Sequence, residues 1–164
     1  MALIEVKIDG LALDMTTNSP VVILNRVDDD KVLPIWIGHS EAWAIAMEMS
    51  GVAPKRPMTH DLLKSVIENV SARLNRVEIV ELREQTFYAV VIVEINGVEH
   101  KIDARPSDSI AIALKMEAPI FVNEDLFDLD FSGEDLKEEG KPDSESLADR
   151  LKKINPEDFG KYSL

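Results

Sequence analysis

The chain has 164 residues, 45% of them hydrophobic and none of them cysteine. Disulfides and thiolate metal sites are therefore excluded, and the core must be built by apolar burial alone. A formal charge of −13 argues against a broad basic face gripping phosphates over a wide area, so any nucleic-acid contact must be local or assisted by bound cations.

Residues 2–14 alternate apolar and charged positions, with Ile4, Val6 and Ile8 on one face and Glu5, Lys7 and Asp9 on the other. The pattern predicts a strand, with a bulge at Asp9-Gly10. The turn residues Thr17-Asn18-Ser19-Pro20 lead into a second strand, Val21 to Val27, and Asp28-Asp29-Asp30 makes a charged turn. Val32 to Ile37 is almost wholly apolar, which predicts a third strand at the centre of the sheet. Gly38-His39-Ser40 opens a helix that Gly51 closes, and Thr59 starts a second whose stripe holds Leu62, Leu63, Val66, Ile67 and Val70. Val77 to Leu82 and Phe87 to Ile95 read as strands. Asn96-Gly97 turns the latter into a hairpin returning through Ile102. Ser107 begins a third helix ending near Met116, and Pro119 to Val122 forms a short closing strand.

Beyond residue 125 the composition changes. From Asn123 onward 13 acids stand against 6 bases, a net of −7, while the first 122 residues hold 18 acids and 12 bases, a net of −6. Residues 126–164 are expected to form an acidic connection followed by an amphipathic helix at Ser144 to Ile154. Strands and helices lack a βαβα rhythm, so the fold class is α+β: a mostly antiparallel mixed sheet with three core helices and that C-terminal helix.

Two helix starts share a pattern. Arg56-Pro57-Met58-Thr59-His60-Asp61 precedes the second helix and Arg105-Pro106-Ser107-Asp108 the third. Thr59 and Ser107 suit helix N-caps, and Asp61 and Asp108 suit the first-turn dipole. Capping alone explains those four. It does not explain Arg56 and Arg105, whose planar guanidinium forks beside free backbone N–H groups suit a phosphate. The plainer alternative is that both arginines pair with nearby acids.

Glu41, Asp61, Asp103 and Asp108 all lie at or near helix starts. If they converged, their oxygens would suit Mg²⁺ or Mn²⁺; no organic cofactor is implied. His60, with His39 second, is the best general-base candidate, and His100 reads as a surface residue. Trp36 and Trp43 bracket a strand-to-helix turn, where packing competes with base stacking as their role. Glycine-rich phosphate loops and nucleophile-elbow motifs are absent.

The segments Ile37-Gly38-His39-Ser40-Glu41-Ala42, Arg56 to Leu62, Phe87-Tyr88-Ala89, Ile102 to Ala111 and Ala118 to Val122 strongly resemble the bifunctional nuclease domain family, over about residues 2–125. The resemblance implies an α+β domain and cleavage of RNA and DNA. It supplies no agreed catalytic residues, so the assignments rest on chemistry. His60, Asp61, Asp103 and Asp108 are the catalytic candidates. Arg56, Thr59, Arg105 and Ser107 are the phosphate-binding candidates, and Glu41, Asp61, Asp103 and Asp108 the metal-binding candidates.

The leading expectation is metal-assisted hydrolysis of phosphodiester bonds. The alternative is a non-catalytic module binding a small anion or a protein partner, and a homodimer is the expected assembly. The N-terminal residues lack a signal peptide's apolar stretch, and no apolar run approaches the roughly 20 residues of a membrane span. A cytoplasmic protein is expected. Its 30% charged residues and few aromatics match thermophile usage.

Overall fold

A computed structural model describes residues 1–129. The acidic stretch from residue 130 onward and the expected helix at Ser144 to Ile154 lie outside the described residues.

The elements follow in the order β1 (Leu3–Asp14), β2 (Ser19–Arg26), β3 (Val32–Trp36), α1 (His39–Met49), α2 (Thr59–Asn69), β4 (Arg73–Arg83), β5 (Thr86–Ile95), β6 (Val98–Ala104), α3 (Pro106–Met116) and β7 (Ile120–Asn123). A 3-10 turn at Glu124–Asp128 closes the described chain and buries Leu126. The fold is α+β as expected, with seven strands in one mixed sheet ordered β3-β2-β1-β7-β4-β5-β6.

Two antiparallel meanders, β1-β2-β3 and β4-β5-β6, make the two halves of that sheet. The expected bulge in β1 falls between Ile8 and Gly10. β7 joins the halves: Ile120 sits opposite Val6 of antiparallel β1 on one side and Val77 of parallel β4 on the other. The short closing strand is therefore central.

β3, expected at the centre, is an edge strand, and the reason is physical. Its apolar run serves two faces: Leu33 and Ile35 enter the main core, while Val32 and Trp36 pack with Ala12, Val21 and Ile23 on the opposite face. Pro34 donates no backbone hydrogen bond, which an edge tolerates and a central strand does not.

α1 and α2 both pack on α3, which lies over β4 and β5. α3 is the most buried of the three, with Ser107, Ser109, Ile110, Ala111, Ile112 and Ala113 all buried. Its small residues let its backbone approach the neighbouring helices closely. Fully burying one of its isoleucines contributes about 2 kcal/mol. The stripe on α2 behaves differently. Only Ile67 is buried, while Leu62 and Val70 remain 59% and 57% exposed. At the free edge of β6, Val98 and Ile102 are exposed as well.

Candidate active site

The three helix starts come together because α1 and α2 flank α3. Neither of the expected hydroxyl caps is used. The α3 cap is Arg105 and Pro106 holds the first helical position, where its missing N–H costs nothing. Ser107 therefore falls inside the helix and is buried. In α2 the cap is Met58 and Thr59 comes first in the helix. The Asp61 carboxylate reaches back to accept from the Met58 N–H at 2.9 Å, the acid half of a capping box.

A chain of ionic hydrogen bonds crosses the three helices. Arg105 Nη2 donates to Glu41 Oε1 on α1 at 3.0 Å, and its Nε donates to Asp108 Oδ2 at 2.8 Å. The other oxygen of Asp108 lies 3.0 Å from His60 Nε2 on α2. A second bridge lies deeper. Lys115 Nζ is 2.7 Å from Asp61 Oδ1 and 3.0 Å from Glu48 Oε2, so one ammonium ties α3 to both other helices. Its side chain is only 10% exposed.

The spacing of these residues follows the helical repeat. Asp108 and Lys115 are seven positions apart, as are Glu41 and Glu48, so each pair lies two turns apart on one face. Gly38 completes the arrangement. A Cβ there would collide with the Glu41 carboxylate, so glycine lets that side chain fold back over the helix start.

Charge follows the contacts. Burial raises the Asp108 pKa, but the hydrogen bonds from Arg105 and His60 outweigh it and hold the carboxyl below its ordinary range. The Lys115 hydrogen bond holds Asp61 below its own. For Lys115, desolvation is overcome by its two carboxylate partners and the ammonium is stabilised. The Asp108 bond raises the Arg105 pKa, with Glu41 contributing.

These groups line a cavity of about 240 Å³ whose walls include Glu41, Met47, Met58, Thr59, His60, Asp61, Arg105, Asp108 and Lys115. Six of the nine residues expected at the site are therefore together. Arg56 is exposed in the loop before α2, makes no hydrogen bond or ion pair among the described residues, and does not line the cavity. Asp103 is exposed on β6 and outside it. It alternates with Ile102, whose partner Val91 faces the core, so Asp103 points to the opposite side of the sheet. Ser107 lines a neighbouring cleft instead. Lys115 and Glu48 were not among the expected residues, although their seven-residue spacing from Asp108 and Glu41 is readable on a helical wheel.

His39 bonds to the Asn18 carbonyl in the β1–β2 turn at 3.0 Å. As expected, His100 is exposed on the surface of β6.

Among the described residues no three acidic or imidazole side chains are arranged to hold a metal ion. Each of Glu41, Asp61 and Asp108 is already engaged by a cation or an imidazole. The donor set as arranged does not fit the expected Mg²⁺ or Mn²⁺ cage.

The model of the bifunctional nuclease domain matches residues 22–131. The chain belongs to the bifunctional nuclease domain family. An uncharacterized protein of Mycobacterium tuberculosis strain H37Rv is 42% identical over 162 residues, covering 94% of this chain and 97% of that protein. Bifunctional nuclease 1 of Oryza sativa subsp. japonica and bifunctional nuclease of Oryza minuta are each 25% identical over 113 residues. Each match covers 67% of this chain and 34% of the rice protein. The family match spans every residue of the cavity just described. No helix among the described residues is long and apolar enough to cross a membrane.

Proposed function

We propose that this chain hydrolyses phosphodiester bonds in nucleic acid, with His60 as general base, Asp108 as the group that orients it, and Arg105 as the phosphate holder. The observation that carries this reading is the 3.0 Å bond between His60 Nε2 and Asp108 Oδ1 in a cavity that also holds Arg105. A carboxylate on one ring nitrogen fixes the tautomer and stabilises the imidazolium formed when the other nitrogen accepts a proton.

Arg105 keeps capacity for a ligand. Its side chain is 65% exposed, and of its five N–H donors those on Nη1 make no bond among the described residues. Glu41 and Asp108 hold the fork flat while leaving that edge open. The charge of the cavity wall explains why the grip is local. Glu41, Asp61 and Asp108 supply three negative charges and Arg105 and Lys115 two positive ones, a net of −1 with His60 neutral. That wall suits one phosphate at one arginine and repels a long polyanion elsewhere.

In the proposed step His60 takes a proton from water as the water oxygen bonds to phosphorus. The bond to the leaving ester oxygen breaks, and that oxygen takes a proton from solvent. Water rather than a ribose hydroxyl is the nucleophile, so RNA and DNA are both substrates. No step depends on a bound metal.

The test is cleavage of single-stranded RNA and DNA by the purified full chain, with and without Mg²⁺ or Mn²⁺. His60→Asn and Asp108→Asn should each lower the rate by about 100-fold or more, the usual worth of a positioned base. Wild-type rates in both variants would reject the assignment. Ligand binding without any cleavage would favour the alternative of a non-catalytic anion-binding module.

A further inference from the structure

Beside the active-site cavity lies a second open cleft of about 360 Å³, and Arg105 is a wall of both. Its lining includes the half-buried apolar side chains of Trp36, Ile37 and Phe87 and the exposed polar residues Gln85 and Thr86. We propose that this cleft is a base-binding subsite. It takes one unstacked nucleobase of a single-stranded nucleic acid whose adjoining phosphate rests on Arg105. The inference rests on the phosphodiesterase reading and names the substrate form it requires.

Three observations carry it. The first is preorganisation. Trp36 Nε1 donates to Asp14 Oδ2 at 3.0 Å, and Asp14 is itself fixed by Thr16. The indole is therefore pinned by its polar edge before any ligand arrives.

The second is the approach of the β4–β5 hairpin. Glu84 and Gln85 adopt positive φ of 49° and 62°, the tight turn that carries Gln85 and Thr86 to the start of α3. An amide and a hydroxyl there supply both donors and acceptors, the pattern that reads the edge of a base. The cleft is of the size of a small-ligand site and mixes its apolar lining with polar side chains from Ser19, Gln85, Thr86, Arg105 and Ser107.

The third is charge. At −13 the protein gains little from a phosphate track, so stacking on an aromatic side chain of the lining is the sequence-tolerant way to hold a strand. A duplex hides its base faces, whereas a single strand can turn one base into the cleft.

The experiment uses the full chain. Trp36 and Trp43 are the two tryptophans, so Trp43→Phe leaves Trp36 as the sole tryptophan, read by tryptophan-selective excitation. This protein is titrated with nucleoside monophosphates and a short single-stranded oligonucleotide, with inorganic phosphate and ribose 5-phosphate as baseless controls. The proposal expects quenching by the nucleotides and the oligonucleotide but not by the controls.

Gln85→Gly removes the side-chain amide and suits the positive φ, and Phe87→Leu removes the ring while keeping an apolar side chain. Phe87→Leu should weaken binding by about 10-fold and Gln85→Gly by about 3- to 10-fold, each raising KM while leaving kcat near wild type. Equal response to baseless phosphates overturns the subsite. So does absence of quenching in a chain that still cleaves in a His60-dependent way. Quenching in a chain that cleaves nothing would support the base site while removing the hydrolase reading, so the two failures are separable.

Discussion

Lys115→Met is the perturbation whose size follows most directly from the geometry. The thioether matches the length of the lysine stem and stays compatible with a helix. What is lost is a nearly buried ammonium with carboxylates at 2.7 and 3.0 Å. A hydrogen bond to a charged group is worth about 1.5–3 kcal/mol, and removing one partner of a fully buried pair costs about 3–5. Here the orphaned carboxylates of Glu48 and Asp61 are 31% and 26% exposed, so water replaces part of what is lost. We expect destabilisation of about 2 kcal/mol. For a chain of this length that lowers Tm by roughly 4–8 °C. Asp61 also caps α2, so the loss loosens the segment that presents His60, and cleavage should fall more than Tm alone explains. Differential scanning calorimetry with the oligonucleotide assay reads both effects. A Tm within 1 °C of wild type would refute the view that Lys115 ties the three helices together.

Further outcomes follow from the same contacts. Gly38→Ala should lower Tm by no more than about 2–4 °C, because the φ of −76° suits any residue and only the Glu41 contact is lost. It should displace Glu41 from Arg105, a pair exposed on the arginine side and worth about 1 kcal/mol, and tighten phosphate binding about 3-fold by isothermal titration. In acid, Asp61 and Asp108 have folded pKa values below their ordinary 3.8. Their stabilisation is therefore present above that value and lost as pH falls through the folded values. Tm measured from pH 5 to pH 2 should decline less steeply in Asp108→Asn than in wild type. Glu117 ends α3 in the left-handed region with φ of 53°, where a side chain is strained. Glu117→Gly should be stabilising by about 0.5–1 kcal/mol, raising Tm by a few degrees.

The sequence made the local structure legible and the long-range assembly much less so. The Arg-Pro helix starts, the Asn96-Gly97 hairpin and the Asp9-Gly10 bulge were readable because each is a property of a few adjacent residues. Sheet order depends on partners far along the chain. Four residues of β7 carry no signal that they will lie between β1 and β4, and the apolar run of β3 imitates a central strand because both its faces are covered. Pro34 was the available warning.

The site shows the same division. Glu41, Thr59, His60, Asp61, Arg105 and Asp108 meet as expected because the helix starts adjoin. Asp103 lies outside the cavity although it is close to Asp108 in sequence. The two-residue period of β6 turns it to the other face of the sheet, which only the pairing of Ile102 with Val91 reveals. Lys115 carries no helix-start signal, because it reaches the cavity from the last turn of α3.

The central claim is that His60 and Asp108 act as one catalytic unit, and a double-mutant cycle on cleavage addresses it most directly. Single-turnover rates on a single-stranded oligonucleotide would be compared for wild type, His60→Asn, Asp108→Asn and the double variant. A base and the carboxylate that orients it are strongly non-additive, so the double variant should be no slower than His60→Asn alone. Multiplying losses would mean the two residues work independently, and no dependence on His60 would contradict the account outright.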